Sequence, residues 1–116
     1  MDTRATLANT KAGRRFMGFM RTLNTGDPEQ LRHAVENYVT EESLEMHSPE
    51  IWLAQLQYIY AISGGLRAHQ VLVTDELYVA VLMQARNDGR FHVIELYVSD
   101  DYPHKVAALI QRLAAE

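Results

Sequence analysis

The chain has 116 residues, of which 47% are apolar and 22% charged, a composition that is typical of one globular domain and excludes a disordered chain. Its net charge of −4 argues against bulk nucleic-acid binding, and the absence of cysteine excludes disulfides, thiolate nucleophiles and Cys-ligated zinc. With no apolar run of membrane-spanning length and no signal-peptide core near the N-terminus, we expect a single soluble cytoplasmic domain over residues 1–116.

Amphipathic helices are predicted in the first half of the chain. Residues 1–10 lack strong periodicity and are expected to fray. A helix over 11–23 carries its apolar stripe at the spacing i, i+3, i+4, i+7, formed by Phe16, Phe19, Met20 and Leu23. A second helix follows Asp27, which can cap free backbone N–H groups, and begins at Pro28, which needs no N–H at the first helical position.

The third predicted helix starts from the same kind of signal. Ser48 and Pro49 repeat the order of a capping residue and a proline, and Ser63-Gly64-Gly65 ends the helix because glycine accepts the left-handed conformation. The acidic segment 40–47 between the second and third helices is expected to form a short turn or helical turn.

The hydrophobic period changes to two after Gly65, which predicts strands over 66–74, 77–86 and 91–98, the last two joined by a hairpin at 87–89. The last two strands are apolar on both faces, whereas a sheet with one face in water alternates apolar and polar residues. Since large exposed apolar patches often mark interfaces, the pattern predicts a homodimer packed through the outer sheet face. The alternative is that the final segment folds back as a helix and covers that face.

The pattern of the final segment, 104–113, is compatible with either a helix or a strand. Its alanines favour a helix, and its larger apolar residues lie at helical spacing (Val106, Leu109, Ile110 and Leu113). As a strand, the segment would place Val106, Ala108 and Ile110 on one face.

Three short motifs within residues 12–113 resemble the NTF2-like, or cystatin-like, superfamily, which includes ketosteroid isomerases and SnoaL-like polyketide cyclases. Leu-Asn-Thr-Gly-Asp-Pro-Glu-Gln-Leu at 23–31 resembles the LNSGDxxxL joint between the first two helices of many members. Ser-Gly-Gly-Leu-Arg at 63–67 leads into the first long strand, and Tyr-Pro-His-Lys-Val at 102–106 is similar to a PPHKI entry to the last strand. That last motif belongs to a subgroup found ahead of some serine hydrolases and peptidases. These 116 residues contain no such hydrolase domain, so nothing catalytic carries over from it.

The resemblance implies an α+β fold, a cone in which three N-terminal helices pack on a curled antiparallel sheet of about four strands. It also implies a pocket between the helices and the sheet, and it makes the final segment a strand, since pairing with a neighbouring strand often overrides local propensity. Because the superfamily contains enzymes as well as non-catalytic ligand-binding and dimerisation modules, the fold by itself does not specify a function.

Isomerases and cyclases of this superfamily use a pocket carboxylate to move a proton and a tyrosine or second acid to stabilise the enolate oxygen. Glu95 lies on an apolar strand face, and Tyr78 and Tyr97 can supply hydroxyl donors, so these three are the candidate catalytic residues. The alternative places Glu95 outward, or in an ion pair across the hairpin with Arg86 or Arg90.

A pocket for a small apolar ligand is expected near the aromatic side chains of the helices, and core packing of the same side chains is the alternative. The candidate lining residues are Phe16, Met20, Tyr38, Trp52, Leu56 and Tyr60. The five histidines form no convincing metal-ligand pair on a shared face, so no metal or other cofactor is expected.

These patterns favour a non-catalytic NTF2-like module that binds a small apolar molecule, forms a homodimer, or does both. The alternative is a small isomerase- or cyclase-type enzyme that uses Glu95 with Tyr78 or Tyr97. Neither a nucleic acid nor a membrane is expected as a partner.

Overall fold

Five helices precede a four-stranded antiparallel sheet in the computed structural model, which describes residues 2–114. The helices are α1 (Thr3–Ala8), α2 (Lys11–Leu23), α3 (Pro28–Tyr38), α4 (Glu41–Met46) and α5 (Pro49–Ser63). The strands are β1 (Leu66–Thr74), β2 (Tyr78–Ala85), β3 (Phe91–Val98) and β4 (Val106–Leu113). The predicted α+β class and the antiparallel sheet of four strands are therefore confirmed. The helices number five rather than three, because α1 and α4 add one short helix each.

The three longer helices begin and end where local chemistry predicts. Asp27 accepts a hydrogen bond from the Glu29 backbone N–H at 3.0 Å, and Pro28 is the first residue of α3. Gly64 ends α5 in the left-handed conformation, with φ of 67°. These boundaries form because capping groups satisfy backbone donors and acceptors that the helix itself leaves free.

Helix α1 forms in the segment for which fraying is expected. The Asp2 side chain accepts a hydrogen bond from the Arg4 backbone N–H, and Leu7 is buried against the core. The close approach of α1 to α2 depends on Gly13, where a methyl group would overlap the backbone carbonyl of Leu7. Tertiary packing, rather than a hydrophobic period within 3–8, therefore orders this helix.

The final segment is a strand despite its helical spacing. β4 pairs with β3 from Val98↔Val106 to His92↔Leu113, and one bulge lies at Ala107. On its other side, Val106 forms an isolated parallel bridge with Val39. Hydrogen bonding from both sides thus outweighs the helix propensity of the alanines, in agreement with the structure that the family resemblance implies.

The sheet has the order β1-β2-β3-β4, and the helices cover one of its faces. That face contributes a central group of fully buried side chains, namely Val79, Val81, Ile94 and Leu96. Helices α2 and α5 pack their apolar stripes on the same core, through residues such as Phe16, Leu23, Leu56 and Ile59. No helix within residues 2–114 is long and apolar enough to cross a lipid bilayer.

Candidate functional site

The face of the sheet that points away from the helices is the first candidate site, and we call it the outer sheet face. Side chains alternate along each strand, so the residues between those of the core lie here. The strand registers place Val73, Ala80, Glu95 and Ile110 in one row across the four strands. The same face also carries Tyr78, Leu82, Val93, Tyr97 and Arg112.

A polar cluster lies within this face. The Tyr78 hydroxyl donates a hydrogen bond to Glu95 Oε1 at 2.5 Å, and Arg112 Nε lies 3.9 Å from Glu95 Oε2. The ring of Tyr97 packs beside that of Tyr78, with 4.6 Å between the centroids. The hydrogen bond to Glu95, with burial and the charge of Glu95 as further causes, raises the pKa of Tyr78 to about 12.

Glu95 lies on the outward face, as one part of the alternative expected, but the ion pair with Arg86 or Arg90 across the hairpin is wrong. Its ion-pair partner is Arg112. This arginine lies on β4 opposite Val93 of β3, and it therefore projects from the same face as Glu95. Arg90 instead lies 3.9 Å from Asp88 within the turn that joins β2 and β3. The β3–β4 register makes Arg112 the ion-pair partner of Glu95, and no local pattern in 86–90 could indicate this pairing.

The three candidate catalytic residues are therefore neighbours, but not in a pocket between the helices and the sheet. Glu95 and Tyr78 meet by hydrogen bond and Tyr97 stacks beside them, all on the outer sheet face. The Glu95 side chain is 20% exposed, and Arg112, which borders it, is 58% exposed. The cluster has the composition of an acid–base set, but it lies on the outer sheet face beside the largely exposed Arg112.

The residues expected to line one ligand pocket are spread over several places. Phe16 and Met20 border a cavity of about 360 Å³ beside β1 and β2. The Tyr38 ring lies under the Arg15 guanidinium, 4.9 Å from it, and Leu56 is buried in the core. Tyr60 packs against Gly26, where its ring leaves no room for a side chain.

Trp52 borders a different cavity of about 460 Å³, which we call the Trp52 cavity. Its walls come from α4 and the residue after it, from α5, and from the bulged start of β4. They include Ser43, His47, Gln55, Ala107 and Leu109. Sequence reasoning missed these five residues, because the cavity exists only where α4 and α5 meet β4 and no periodicity signals such a meeting.

Two hydrogen bonds hold the walls of the Trp52 cavity together. Ser43 Oγ donates to the Ala107 carbonyl at 2.6 Å, and Gln55 Nε2 donates to the Leu109 carbonyl at 3.3 Å. The indole Nε1–H of Trp52 is buried, yet it has no acceptor within the described part of the chain. A buried donor without a partner lowers the stability by about 1–3 kcal/mol, so the presence of this unpaired indole N–H requires an explanation.

His92 is a second buried group with an unused polar atom. It is 2% exposed on the core side of β3, and its Nδ1 lies 2.9 Å from Gln111 Nε2. Since the Gln111 amide donates, Nδ1 accepts and the ring proton lies on Nε2, which has no partner among residues 2–114. Burial lowers the pKa of His92 and so favours the neutral ring.

A scan against protein-family models, a search of curated proteins and a search of solved structures each found no match.

Proposed function

We propose that this chain is a non-catalytic module that forms a homodimer through the outer sheet faces of two copies. The supporting observation is the contrast between the two faces of the sheet. Helices cover one face, whereas the other presents Val73, Tyr97 and Ile110, each between 41% and 43% exposed. Apolar side chains concentrated on one open face are typical of an interface, and their burial in a dimer is favourable.

Two small residues at the centre of the outer sheet face are already shielded from solvent. Ala80 and Val93 lie on the outer sheet face and are each only 4% exposed, because the larger side chains around them shield them. A second sheet that docks here meets several neighbouring apolar side chains around the polar cluster. Aligned packing of two sheets, about 10 Å apart, is the ordinary way to bury such a layer.

The charges on the face also suit a second copy of the same chain. On the outer sheet face, the acidic Glu95 and the basic Arg112 lie side by side. Arg112 is 58% exposed and its intrachain contact to Glu95, at 3.9 Å, uses little of its donor capacity. A two-fold axis repeats both charges, so the Arg112 of each copy can reach Glu95 of the other.

The alternative, a small isomerase or cyclase, has one observation in its favour, the hydrogen bond between Tyr78 and Glu95. Acid–base enzymes that use a carboxylate need enclosure, which excludes water and adjusts the carboxyl pKa. The pair lies on an open sheet face, and that position favours a role in association.

The test is the mass in solution over a range of protein concentrations, measured by sedimentation equilibrium. We expect twice the chain mass of 13.2 kDa for the natural sequence. Ile110→Lys should shift the equilibrium to the monomer, because two lysines would be buried against an apolar layer. Tyr58→Lys is the matched control, since Tyr58 is 59% exposed on α5, outside the outer sheet face, and the dimer should persist.

Two results would contradict the proposal. One is a mass of 13.2 kDa for the natural sequence at all concentrations. The other is a dimer that Ile110→Lys leaves intact, which would place the contact on another surface.

A further inference from the structure

Trp52, which borders the Trp52 cavity, has a buried hydrogen-bond donor that the fold itself does not explain. Trp52 is 6% exposed, and its Nε1–H has no acceptor within residues 2–114. Buried tryptophans usually place this N–H against a carbonyl or another acceptor, because the loss of hydration is otherwise uncompensated. An acceptor that comes from outside the chain would remove the penalty.

The size and the rim of the cavity suit a small apolar molecule. Its volume of about 460 Å³ lies within the range of small-molecule sites in proteins, roughly 300–1,000 Å³. Met46 and Ile51 border it, and they are 77% and 54% exposed, so two large apolar side chains are left in water at one opening. A ligand in the cavity would cover both of them.

The wall of the cavity that α4 forms is short and exposed. None of the residues Glu41–Met46, all of which the structure describes, is buried. The helix is joined to β4 by the hydrogen bond from Ser43 to the Ala107 carbonyl. Contact between a ligand and the buried Trp52 Nε1–H requires displacement of this wall, which would cost the Ser43 hydrogen bond and the partial packing of Leu44 on the core.

We propose that the Trp52 cavity binds a small, largely apolar molecule that carries one hydrogen-bond acceptor, and that the acceptor receives the Trp52 Nε1–H. The apolar body fills the space between α4, α5 and β4 and covers Met46 and Ile51. This inference is independent of the proposed homodimer, because the cavity lies beside the helices.

The test uses two probes of nearly equal shape, 1-tetralone, a bicyclic ketone, and tetralin, the corresponding hydrocarbon. Trp52 is the one tryptophan of the chain, so a ¹H–¹⁵N spectrum of the labelled protein contains a single indole cross-peak. We expect both probes to shift the backbone amides of Ala107 and Leu109, and tetralone alone to move the indole proton downfield. Tetralone should bind about fivefold more tightly, which is the value of one ordinary net hydrogen bond.

Trp52→Phe removes the N–H and keeps an aromatic ring in the wall. In this variant the affinity for tetralone should fall to that for tetralin, with circular dichroism as the check on folding. Tyr58→Phe is the matched control on the exposed face of α5 and should retain the fivefold preference. Equal binding of both probes to the natural sequence without an indole shift would overturn the proposal, and so would the absence of any shift at Ala107 and Leu109 up to the solubility limit.

Discussion

Whether Gly13→Ala stabilises or destabilises the protein depends on where α1 packs. In a helix without neighbours, Gly→Ala stabilises by up to about 1 kcal/mol, because alanine has the higher helix propensity. In this fold, the same methyl group would overlap the backbone carbonyl of Leu7, and a backbone atom cannot rotate away as a side chain can. We therefore expect Gly13→Ala to destabilise the protein by displacing α1 from α2.

The magnitude follows from what α1 contributes when it is docked. Leu7 is 3% exposed, and full burial of a leucine side chain is worth about 1.5–3 kcal/mol. Arg14 Nη1 also donates to the Ala8 carbonyl at 3.0 Å, an exposed bond of smaller value. Subtraction of the helix-propensity gain leaves a net loss of about 0.5–2 kcal/mol.

The assay is urea unfolding followed by circular dichroism at one fixed protein concentration, because association would change the apparent stability. Gly18→Ala is the matched control, since Gly18 lies on the same helix and a methyl group there meets nothing within 4 Å. That variant should gain up to about 1 kcal/mol. If Gly13→Ala proves as stable as Gly18→Ala, α1 is not docked on α2 and the argument from Leu7 fails.

Two further predictions concern titration. The raised pKa of Tyr78, about 12 against an ordinary value of 10.0, means that its contribution to stability is complete below pH 10 and is lost as the pH rises towards 12. Tyr78→Phe should remove that alkaline loss in unfolding experiments, and an unchanged pH profile would show that the bond to Glu95 does not form. The lowered pKa of His92 means that its contribution is present above its ordinary pKa of 6.5 and falls as the medium becomes more acidic. Its C2–H resonance should titrate below the ordinary histidine pKa of 6.5, and a midpoint at 6.5 would contradict its burial.

Helix boundaries and strand faces followed from the sequence because they rest on local physics. A capping side chain such as Asp27 acts on backbone groups only two or three residues away, and the alternation of Val79 and Val81 with their neighbours is a property of one strand. The same reasoning placed Glu95 and Tyr97 on one face of their strand, whereas the β2–β3 register brought Tyr78 to that face.

The partners of the site residues did not follow from local patterns. Glu95 meets Arg112 only because β4 pairs with β3 in one particular register, over a separation that no short motif encodes. The Trp52 cavity likewise requires the bulge at Ala107 and the placement of α4 against it. Such features arise from long-range contacts, and their positions depend on how whole elements pack.

By itself, the sequence determined one globular α+β domain with an apolar surplus on its sheet, because composition and hydrophobic period depend on residue order alone. Hydrophobic period and local propensity did not predict that residues 3–8 form a helix or that the final segment is a strand, although the family resemblance implied that strand. In both cases contact with another element outweighs the local preference. Helix α1 packs on α2 at Gly13, and β4 pairs with β3. Tertiary structure also decided that Glu95 lies on an open face and Trp52 beside a cavity, because enclosure is a property of several elements together.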